Sequence, residues 1–341
     1  MTLRPLFALL LATAGATALA GTGVTNVTPL PGEEAVTVFY PTAAADAPVQ
    51  RGPFNLSLAV NGAPLRGNGR LVVISHGSGG NPWVHSDLAR ALVNAGFVVA
   101  MPSHKGDNAA DPSHPGPASW KMRPVEVSHA IDAVANDARF APLLSLDKVG
   151  MYGMSAGGHT ALTLAGGRWS SATLRDHCEA NIADDFQSCV GLSTRLNGDL
   201  LDDVKKSVAL QVIRKRMDDA TWQSYTDPRI RAVVAGVPFA ADFDAATLAQ
   251  PKVALGLVTA RKDLWLVPKF HSDRIVAACA SCERIADLAD AGHGALLSPP
   301  VPTQILGDLE RHLLGDPPGF DRAQMPEIDR RIASFFLRKL Q

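Results

Sequence analysis

The sequence predicts a mixed α/β domain in which a mostly parallel sheet carries helices on both faces. From residue 70 onward, short runs of Val, Leu and Ile alternate with segments whose apolar residues recur every three or four positions. Apolar residues make up 46% of the 341 residues and charged residues 19%, so the chain can bury a large core. Wholly apolar runs are typical of parallel strands covered on both faces, and the helices between them provide the crossover connections.

Local signals predict each element of this alternation. The predicted strands are short apolar runs bounded by Gly, Pro or polar residues, and they cover residues 71–74, 97–101, 149–152, 230–237, 253–258 and 284–288. The predicted helices have apolar residues at helical spacing, and they cover residues 82–94, 124–137, 156–165, 204–217 and 332–340. Segments 35–40 and 54–60 alternate apolar and polar residues, and we expect them to pair as an antiparallel hairpin at the sheet edge.

The strand–helix alternation breaks between residues 168 and 227. This stretch contains polar segments, two cysteines and an amphipathic helix, and it follows the predicted helix at 156–165. A connection of about 60 residues is too long for an ordinary loop in a compact domain. We therefore expect one catalytic domain over residues 21–341, with 168–227 as a helical insertion that caps one end of the sheet.

The first twenty residues have the pattern of a signal peptide. Arg4 supplies a positive charge, residues 6–11 are apolar, and 18–20 (Ala-Leu-Ala) provides the small residues that a signal peptidase recognises. The apolar stretch is short for a membrane anchor, and no later segment approaches about 18 unbroken apolar residues. The sequence thus predicts a secreted or periplasmic protein, with a signal peptide at 1–20 and no stable membrane insertion.

The charge balance argues against one class of partner. The formal net charge is -1, and the sequence contains no long run of Lys and Arg. Binding of nucleic acid requires clustered positive charge against the phosphates. We therefore expect no nucleic-acid partner.

The four cysteines of an exported chain are expected to form disulfides. Sequence proximity favours the pairs Cys178–Cys189 and Cys279–Cys282, although sequence alone does not determine the pairing. The alternative is a zinc site, since Cys279 and Cys282 have C-x-x-C spacing. Zinc needs a second pair of ligands, and Cys178 and Cys189 are too far apart in sequence to form a tight knuckle. Disulfides are therefore the favoured interpretation.

The pentapeptide 153–157 (GMSAG) matches the G-x-S-x-G motif of serine nucleophiles. A predicted strand ends just before it and a helix of small residues follows, which is the strand–turn–helix context of a nucleophile elbow. The tight turn presents the Ser155 hydroxyl at the carboxyl end of the strand, above a helix N-terminus that favours developing negative charge. Ser155 is therefore the predicted nucleophile.

A serine hydroxyl needs a base to become nucleophilic, and His293 is the predicted base. It stands between two glycines at 292–294 (GHG), after the last predicted strand. A flexible loop at that position lets the imidazole bend back toward Ser155. The other late histidines, His271 and His312, fall in or beside predicted helices.

The base needs a carboxylate that holds its tautomer, and Asp263 is the predicted acid. Asp263 follows the strand at 253–258, on the same side of the sheet as Ser155. The order Ser, Asp, His along the chain is the one expected with this elbow. Asp242 and Asp244, which follow the preceding strand, are the alternatives.

An oxyanion hole requires backbone N–H groups that point at the developing charge. The residue after the nucleophile, Ala156, is expected to supply one of them. The Gly-rich segment 75–80 (SHGSGG) follows a predicted strand, and its glycines allow a close approach to substrate. We predict that Ser78 supplies the second N–H. A phosphate-binding loop is the weaker alternative, because no G-K-[ST] sequence follows.

Four motifs resemble those of the predicted dienelactone-hydrolase group of α/β-hydrolases: SHGSGG at 75–80, GMSAGG at 153–158, KD at 262–263 and GHG at 292–294. This group is similar to platelet-activating-factor acetylhydrolases and to bacterial polyester and lipase-like esterases. The resemblance covers residues 30–340. It implies the α/β-hydrolase fold, with Ser155, Asp263 and His293 as catalytic triad and a small or soluble ester as substrate. In the acetylhydrolases the acid follows the preceding strand, which corresponds to 230–237 here. Asp242 and Asp244 therefore remain alternatives for the acid.

These motifs predict hydrolysis of carboxylic esters through an acyl-enzyme, without cofactor or metal. Amide or peptide hydrolysis by the same three residues is one alternative. A binding protein that keeps the fold without catalysis is another, and the intact order of Ser, Asp and His argues against it. We expect a monomer whose partner is a small-molecule or polymeric ester. The motifs do not identify the acyl or alcohol group, because substrate choice depends on pocket shape.

Overall fold

The protein forms one sheet of ten strands with helices on both faces. The computed structural model describes residues 21–341, so the predicted signal peptide at 1–20 lies outside the described residues. The strands are β1 (Gly21–Val27), β2 (Val36–Thr42), β3 (Ala47–Arg51), β4 (Phe54–Val60), β5 (Leu71–Ser75), β6 (Val98–Pro102), β7 (Val149–Met154), β8 (Ile230–Gly236), β9 (Ala254–Ala260) and β10 (Glu283–Leu288). The α-helices are α1 (Ser86–Asn94), α2 (Pro117–Asn136), α3 (Ala156–Leu164), α4 (Ser171–Asn181), α5 (Phe186–Val190), α6 (Asp202–Arg216), α7 (Ser272–Ala278), α8 (Asp308–Leu314) and α9 (Met325–Lys339).

The strand order across the sheet is β10-β9-β8-β7-β5-β6-β2-β1-β4-β3. All neighbours from β10 to β6 are parallel, whereas β2 is antiparallel to both β6 and β1. Because parallel strands end at one edge of a sheet, the loops after β5, β7, β8, β9 and β10 meet there. The mixed α/β architecture with a mostly parallel sheet confirms the predicted fold class.

The predicted edge hairpin of segments 35–40 and 54–60 is wrong. β2 lies inside the sheet between β1 and β6 with all its residues buried, whereas β4 pairs with β3 and β1. The sequence analysis missed β1, which carries Gly and Thr, and β3, which is largely exposed and contains Pro48. β3 is the edge strand, the position in a sheet where proline is tolerated.

The helices divide between the two faces of the sheet. α1 and α9 pack together on one face, and α2, α3 and α7 cover the other. α2 begins at Pro117, earlier than the predicted start at Pro124, which lies inside the helix. A proline normally begins or ends a helix, but here the preceding turn is held by the burial of Trp120 and Arg123.

Residues 168–227 form a helical insertion that contains α4, α5 and α6, as the sequence predicts. The three helices contact one another, and Leu174, Cys178 and Ile213 are buried in the same core as α2 and α3. The insertion is therefore built onto the main core and is not a separate domain.

Both predicted cysteine pairings are confirmed. Cys178–Cys189 joins α4 to α5, with a Cα–Cα distance of 5.8 Å. Cys279–Cys282 bridges the turn between α7 and β10, with a Cα–Cα distance of 5.5 Å. The two bridges engage all four cysteines of the sequence, which rules out the zinc alternative.

Asp329 is a buried carboxyl group on α9, with 5% of its surface exposed. Burial, reinforced by the nearby Asp87 carboxylate, raises the pKa of Asp329 to about 7. In an unfolded chain an Asp carboxyl ionises near pH 4, so the folded state holds this proton more tightly. The free energy of unfolding therefore falls as the pH rises from about 4 to about 7.

We expect Asp329→Asn to raise the free energy of unfolding at pH 8 and to leave it nearly unchanged at pH 4. Asn is neutral at every pH, whereas the wild type buries a carboxylate above pH 7. The rise of the Asp329 pKa from near 4 to about 7 corresponds to a loss on the order of 4 kcal/mol in the free energy of unfolding, at 1.36 kcal/mol per pH unit. Urea unfolding at the two pH values measures it, with Asp203→Asn on an exposed side chain of α6 as control. Equal stability of variant and wild type at pH 8 would contradict this expectation.

Candidate active site

Ser155 occupies the sharp turn between β7 and α3. Its backbone has φ 58° and ψ -116°, a conformation that residues other than glycine rarely adopt. The Ser155 amide donates to the Gly236 carbonyl at 3.0 Å, and the Ser155 carbonyl accepts from the Phe239 amide at 3.2 Å. Bonds to the loop after β8 therefore hold the strained turn in place.

The flanking glycines make this turn possible. A Cβ at Gly153 would lie 1.9 Å from the carbonyl oxygen of Gly157. A Cβ at Gly157 would lie 2.0 Å from the carbonyl oxygen of Ser75. Both distances are far inside van der Waals contact, so any larger residue would force the turn away from the sheet.

The side chains of Ser155, His293 and Asp263 form a line of hydrogen bonds. His293 Nε2 lies 3.0 Å from Ser155 Oγ, and His293 Nδ1 lies 2.7 Å from Asp263 Oδ2. His293 and Asp263 are buried, whereas Ser155 is partly exposed. Such a line can pass the hydroxyl proton to the imidazole while the carboxylate holds the other ring nitrogen.

The loop after β9 fixes the Asp263 carboxylate. Its Oδ1 accepts hydrogen bonds from the amides of Trp265 and Leu266, each at 2.8 Å. Its Oδ2 faces His293, which follows β10. The loops after two adjacent parallel strands thus carry the predicted base and the predicted acid.

The alternative acids lie elsewhere. Asp242 is fully buried, and its Oδ2 lies 3.0 Å from Nε2 of His159 on α3. Asp244 pairs with Arg168 and caps the short 3₁₀ helix at Ala245–Leu248. Of the three candidate aspartates, the structure brings only Asp263 against His293.

The Gly-rich loop after β5 passes directly beside the nucleophile turn. A Cβ at Gly77 would lie 3.4 Å from the Ser155 Cβ. Ser78 is the next residue of this loop, and Ala156 is the first residue of α3. Among the turn, loop and side-chain hydrogen bonds of residues 21–341, none uses the amide of Ser78 or Ala156. The assignment of these two N–H groups to an oxyanion hole stays a prediction.

The sequence analysis missed two residues around this loop. Arg123 on α2 and Asp107 after β6 form an ion pair at 2.8 Å, and neither side chain is exposed to solvent. Arg123 Nη1 donates to the His76 carbonyl at 2.6 Å, and Asp107 Oδ1 accepts from Ser78 Oγ at 2.5 Å. The available signal was the helical register of Arg123, four residues before Val127 on the apolar stripe of its helix.

Two buried histidines brace the same loop. Burial, together with the positive charge of Arg123, lowers the pKa of His76 and of His104 well below the usual range. His104 Nε2 lies 2.7 Å from Ser75 Oγ, and its Nδ1 lies 2.5 Å from Glu126 Oε2. These imidazoles are therefore neutral parts of the framework at neutral pH.

Residues 21–341 contain no group of three or more His, Cys, Asp or Glu side chains arranged to hold a metal ion. Within that same range, no helix combines the length and the apolar character required to cross a bilayer.

The insertion contacts the loops that follow β8 and β9. Asp185 of the insertion is buried, and its Oδ2 lies 2.8 Å from His177 Nε2 and 3.1 Å from His271 Nε2. His271 Nδ1 in turn accepts the Ala240 amide at 2.9 Å. Burial alone would raise the pKa of Asp185, but hydrogen bonds from the two histidines hold it well below the usual range.

A charge of the insertion also acts on the neighbourhood of Asp263. Trp265, whose amide binds Asp263, donates its indole N–H to His312 Nδ1 at 3.0 Å. Burial, and the positive charge of Arg195, lower the pKa of His312. Arg195 belongs to the insertion, so the insertion approaches the loop that carries Asp263.

The parallel strand order and the turn after β7 define an α/β-hydrolase fold. The chain is similar to the solved structure of a ferulic acid esterase from Streptomyces cinnamoneus, with a TM-score of 0.59 over 96% of this chain and 91% of that chain. The sequence identity is 16%, so this likeness concerns the fold. No family model matches the sequence, and no curated protein matches it. The resemblance to the dienelactone-hydrolase group is thus supported at the level of the fold.

Proposed function

We propose that the protein is a serine hydrolase that cleaves carboxylic esters through an acyl-enzyme. The observation that carries this proposal is the continuous line from Ser155 Oγ through His293 to Asp263, with successive distances of 3.0 and 2.7 Å. The strained turn supports it, because backbone strain of this kind concentrates at functional sites. The printed name of the structural neighbour, a ferulic acid esterase, is consistent with an ester substrate.

In the acylation step, Ser155 Oγ attacks the ester carbonyl carbon and its proton passes to His293 Nε2. The carbonyl π electrons move onto the oxygen, and the Asp263 carboxylate stabilises the imidazolium through Nδ1–H. The tetrahedral adduct then collapses, the bond to the alcohol oxygen breaks, and the alcohol leaves with the proton from His293. Water attacks the acyl-enzyme with His293 again as base, which releases the acid and restores Ser155.

The amides of Ser78 and Ala156 are proposed to bind the oxyanion of both tetrahedral adducts. Preorganised donors at such a position contribute about 10²- to 10³-fold each to kcat. Ala156 also begins α3, whose N-terminal dipole favours negative charge nearby. The two disulfides further support export to an oxidising compartment, in line with a secreted or periplasmic enzyme.

A fluorophosphonate probe and a panel of p-nitrophenyl esters from C2 to C16 test the function. We expect the probe to label Ser155 once per chain and the panel to be hydrolysed with a defined chain-length optimum. Methyl ferulate is a useful addition because of the structural neighbour. Faster turnover of matched p-nitroanilides would assign amide hydrolysis instead. Absence of labelling together with absence of turnover would assign a binding protein.

The insertion at 168–227 is proposed to cover the mouth of the site and to influence substrate choice. Its support lies in the contact of Asp185 with His271 after β9 and in the positive charge of Arg195, which acts on His312 beside Trp265. The connection between α5 and α6 contains Arg195 and exposes the apolar side chains of Leu192 and Leu200. These apolar residues are suited to contact the acyl or alcohol chain of a substrate.

We expect replacement of residues 192–200, which include Leu192 and Leu200, by a short Gly-Ser linker to raise KM for long-chain esters about tenfold. The deleted stretch carries Arg195 but none of the buried residues of the insertion, so the core remains intact. Hydrolysis of the C2 ester is the internal control and should change less than threefold. Unchanged relative rates on C2 and C16 esters would show that this connection does not contribute to substrate choice.

A further inference from the structure

The loop that carries Ser78 is held from two sides by one buried ion pair. Arg123 Nη2 lies 2.8 Å from Asp107 Oδ2, and both side chains are completely inaccessible to solvent. The two residues come from different elements, since Arg123 is on α2 and Asp107 follows β6. The pair therefore joins two segments of the fold at the point where the β5 loop passes between them.

Arg123 binds the carbonyl side of the loop. Its Nη1 donates to the His76 carbonyl at 2.6 Å, and its Nη2 contacts the Gly77 carbonyl at 3.5 Å. Its Nε donates to Ser119 Oγ at 2.9 Å, one turn earlier in α2. The guanidinium is thus fixed to its own helix and aligns the two carbonyls that precede Ser78.

Asp107 binds the opposite side of the same loop. Its Oδ1 accepts the Ser78 hydroxyl at 2.5 Å and the Gly79 amide at 3.0 Å. Gly79 has a positive φ of 65°, which turns the chain directly after Ser78. The Gly80 carbonyl accepts the Ala109 amide at 2.9 Å, so the Asp107 loop and the β5 loop are also joined through their backbones.

We propose that Arg123 and Asp107 are positioning residues that aim the Ser78 N–H at the substrate oxyanion. The carbonyls of residues 76 and 77, the Ser78 hydroxyl and the Gly79 amide all have partners in this pair. The Ser78 amide has no partner among the turn, loop and side-chain hydrogen bonds of residues 21–341. The assignment rests on the proposed esterase function. The assignment goes beyond that function because it gives the buried pair a role in catalysis although neither residue contacts the substrate.

Energetics favour a positional role for the pair. A buried ion pair often adds no net stability compared with apolar residues of similar size, because desolvation offsets the attraction. An oxyanion donor, in contrast, loses most of its effect when it is misplaced by about 1 Å, which can reduce the rate about 10²-fold. A rigid, bidentate guanidinium is suited to align two carbonyls in a way that one ammonium group is not.

The test compares ordinary and thiono esters in Arg123→Met, Arg123→Lys and Asp107→Asn. The thiocarbonyl sulfur is a weak hydrogen-bond acceptor, so an intact oxyanion hole discriminates strongly in favour of the oxo ester. We expect each variant to lower kcat for p-nitrophenyl acetate about 10- to 100-fold with KM changed less than threefold. The ratio of oxo to thiono ester rates should fall about tenfold in parallel.

The matched control is Arg229→Met. Arg229 binds Asp227 and Asp132 just before β8, at the end of the strand opposite to Ser155. Its loss removes two partly exposed ion pairs away from the β5 loop, and we expect the oxo-to-thiono ratio to stay at the wild-type value. Thermal unfolding and titration of active sites with a fluorophosphonate establish the folded, reactive fraction of each variant.

Two outcomes would overturn the positioning role. One is a wild-type kcat in the Arg123 and Asp107 variants. The other is an equal loss on both esters, which indicates general damage to the site. If Arg123→Met does not fold, the oxo-to-thiono ratio of Arg123→Lys tests the positioning role. Lys keeps a buried positive charge beside Asp107 but cannot bind both carbonyls. Failure of the proposed function is distinguishable, because the wild type itself would then hydrolyse neither ester.

Discussion

Ser155→Ala is expected to lower kcat for ester hydrolysis by about 10⁶-fold, as loss of the nucleophile does in serine hydrolases. The variant keeps the hydrogen bond between His293 and Asp263 but has no oxygen to form the acyl-enzyme. We expect it to remain folded, because the hydroxyl makes a single, partly exposed hydrogen bond. Initial rates with p-nitrophenyl acetate, together with circular dichroism, measure both effects.

The matched control for this variant is Ser170→Ala. Ser170 is a buried serine that caps α4, so its loss affects local stability and not the proposed chemistry. Its kcat should stay within a factor of about three of the wild type. Activity of Ser155→Ala near the wild-type value would show that another residue is the nucleophile.

Asp263→Asn should lower kcat by about 10³- to 10⁴-fold through the wrong tautomer of His293. The Trp265 and Leu266 amides both point at Oδ1 of Asp263. An Asn at this position therefore turns its oxygen to the two amides and its NH₂ group to His293 Nδ1. The ring proton must then reside on Nε2, where it blocks acceptance of the Ser155 proton.

Asp242→Asn and Asp244→Asn are the controls for the acid. Asp242 faces His159 and Asp244 faces Arg168, so neither change alters the partner of His293. We expect kcat within about tenfold of the wild type in both variants. If either variant lowers kcat about 10³-fold while Asp263→Asn keeps full activity, the acid lies after β8.

The central fold was predictable because its elements carry strong local signals. β5, β7, β8 and β9 are apolar apart from Ser75, Arg231 and Thr259, which is characteristic of parallel strands buried on both faces. The antiparallel end of the sheet was harder to predict. β2 is apolar enough to lie inside the sheet, but its partner β1 carries few apolar residues, and pairing partners distant in sequence leave no local signal.

For the candidate site, sequence order was more informative than composition. The turn motif identifies Ser155, and the strand order narrows the search for a base and an acid to the loops after β9 and β10. The roles of these residues stay predictions until the variants are measured. Arg123 and Asp107 were out of reach, because a buried ion pair depends on two segments that meet only in the folded protein.

The hydrogen bonds of Asp185 restrict how the insertion can move. One carboxylate oxygen holds a histidine of α4 and a histidine of the β9–α7 connection, and the disulfide Cys178–Cys189 encloses this residue in sequence. If α4 and α5 moved outward, the ionised Asp185 carboxylate would lose both of its histidine partners. The same movement would expose the buried residues of these helices to solvent. We therefore expect α4 and α5 to stay fixed, with amide protons that exchange as slowly as those of α3. If the insertion covers the site as proposed, the connection between α5 and α6 is the part of it left to adjust to a substrate.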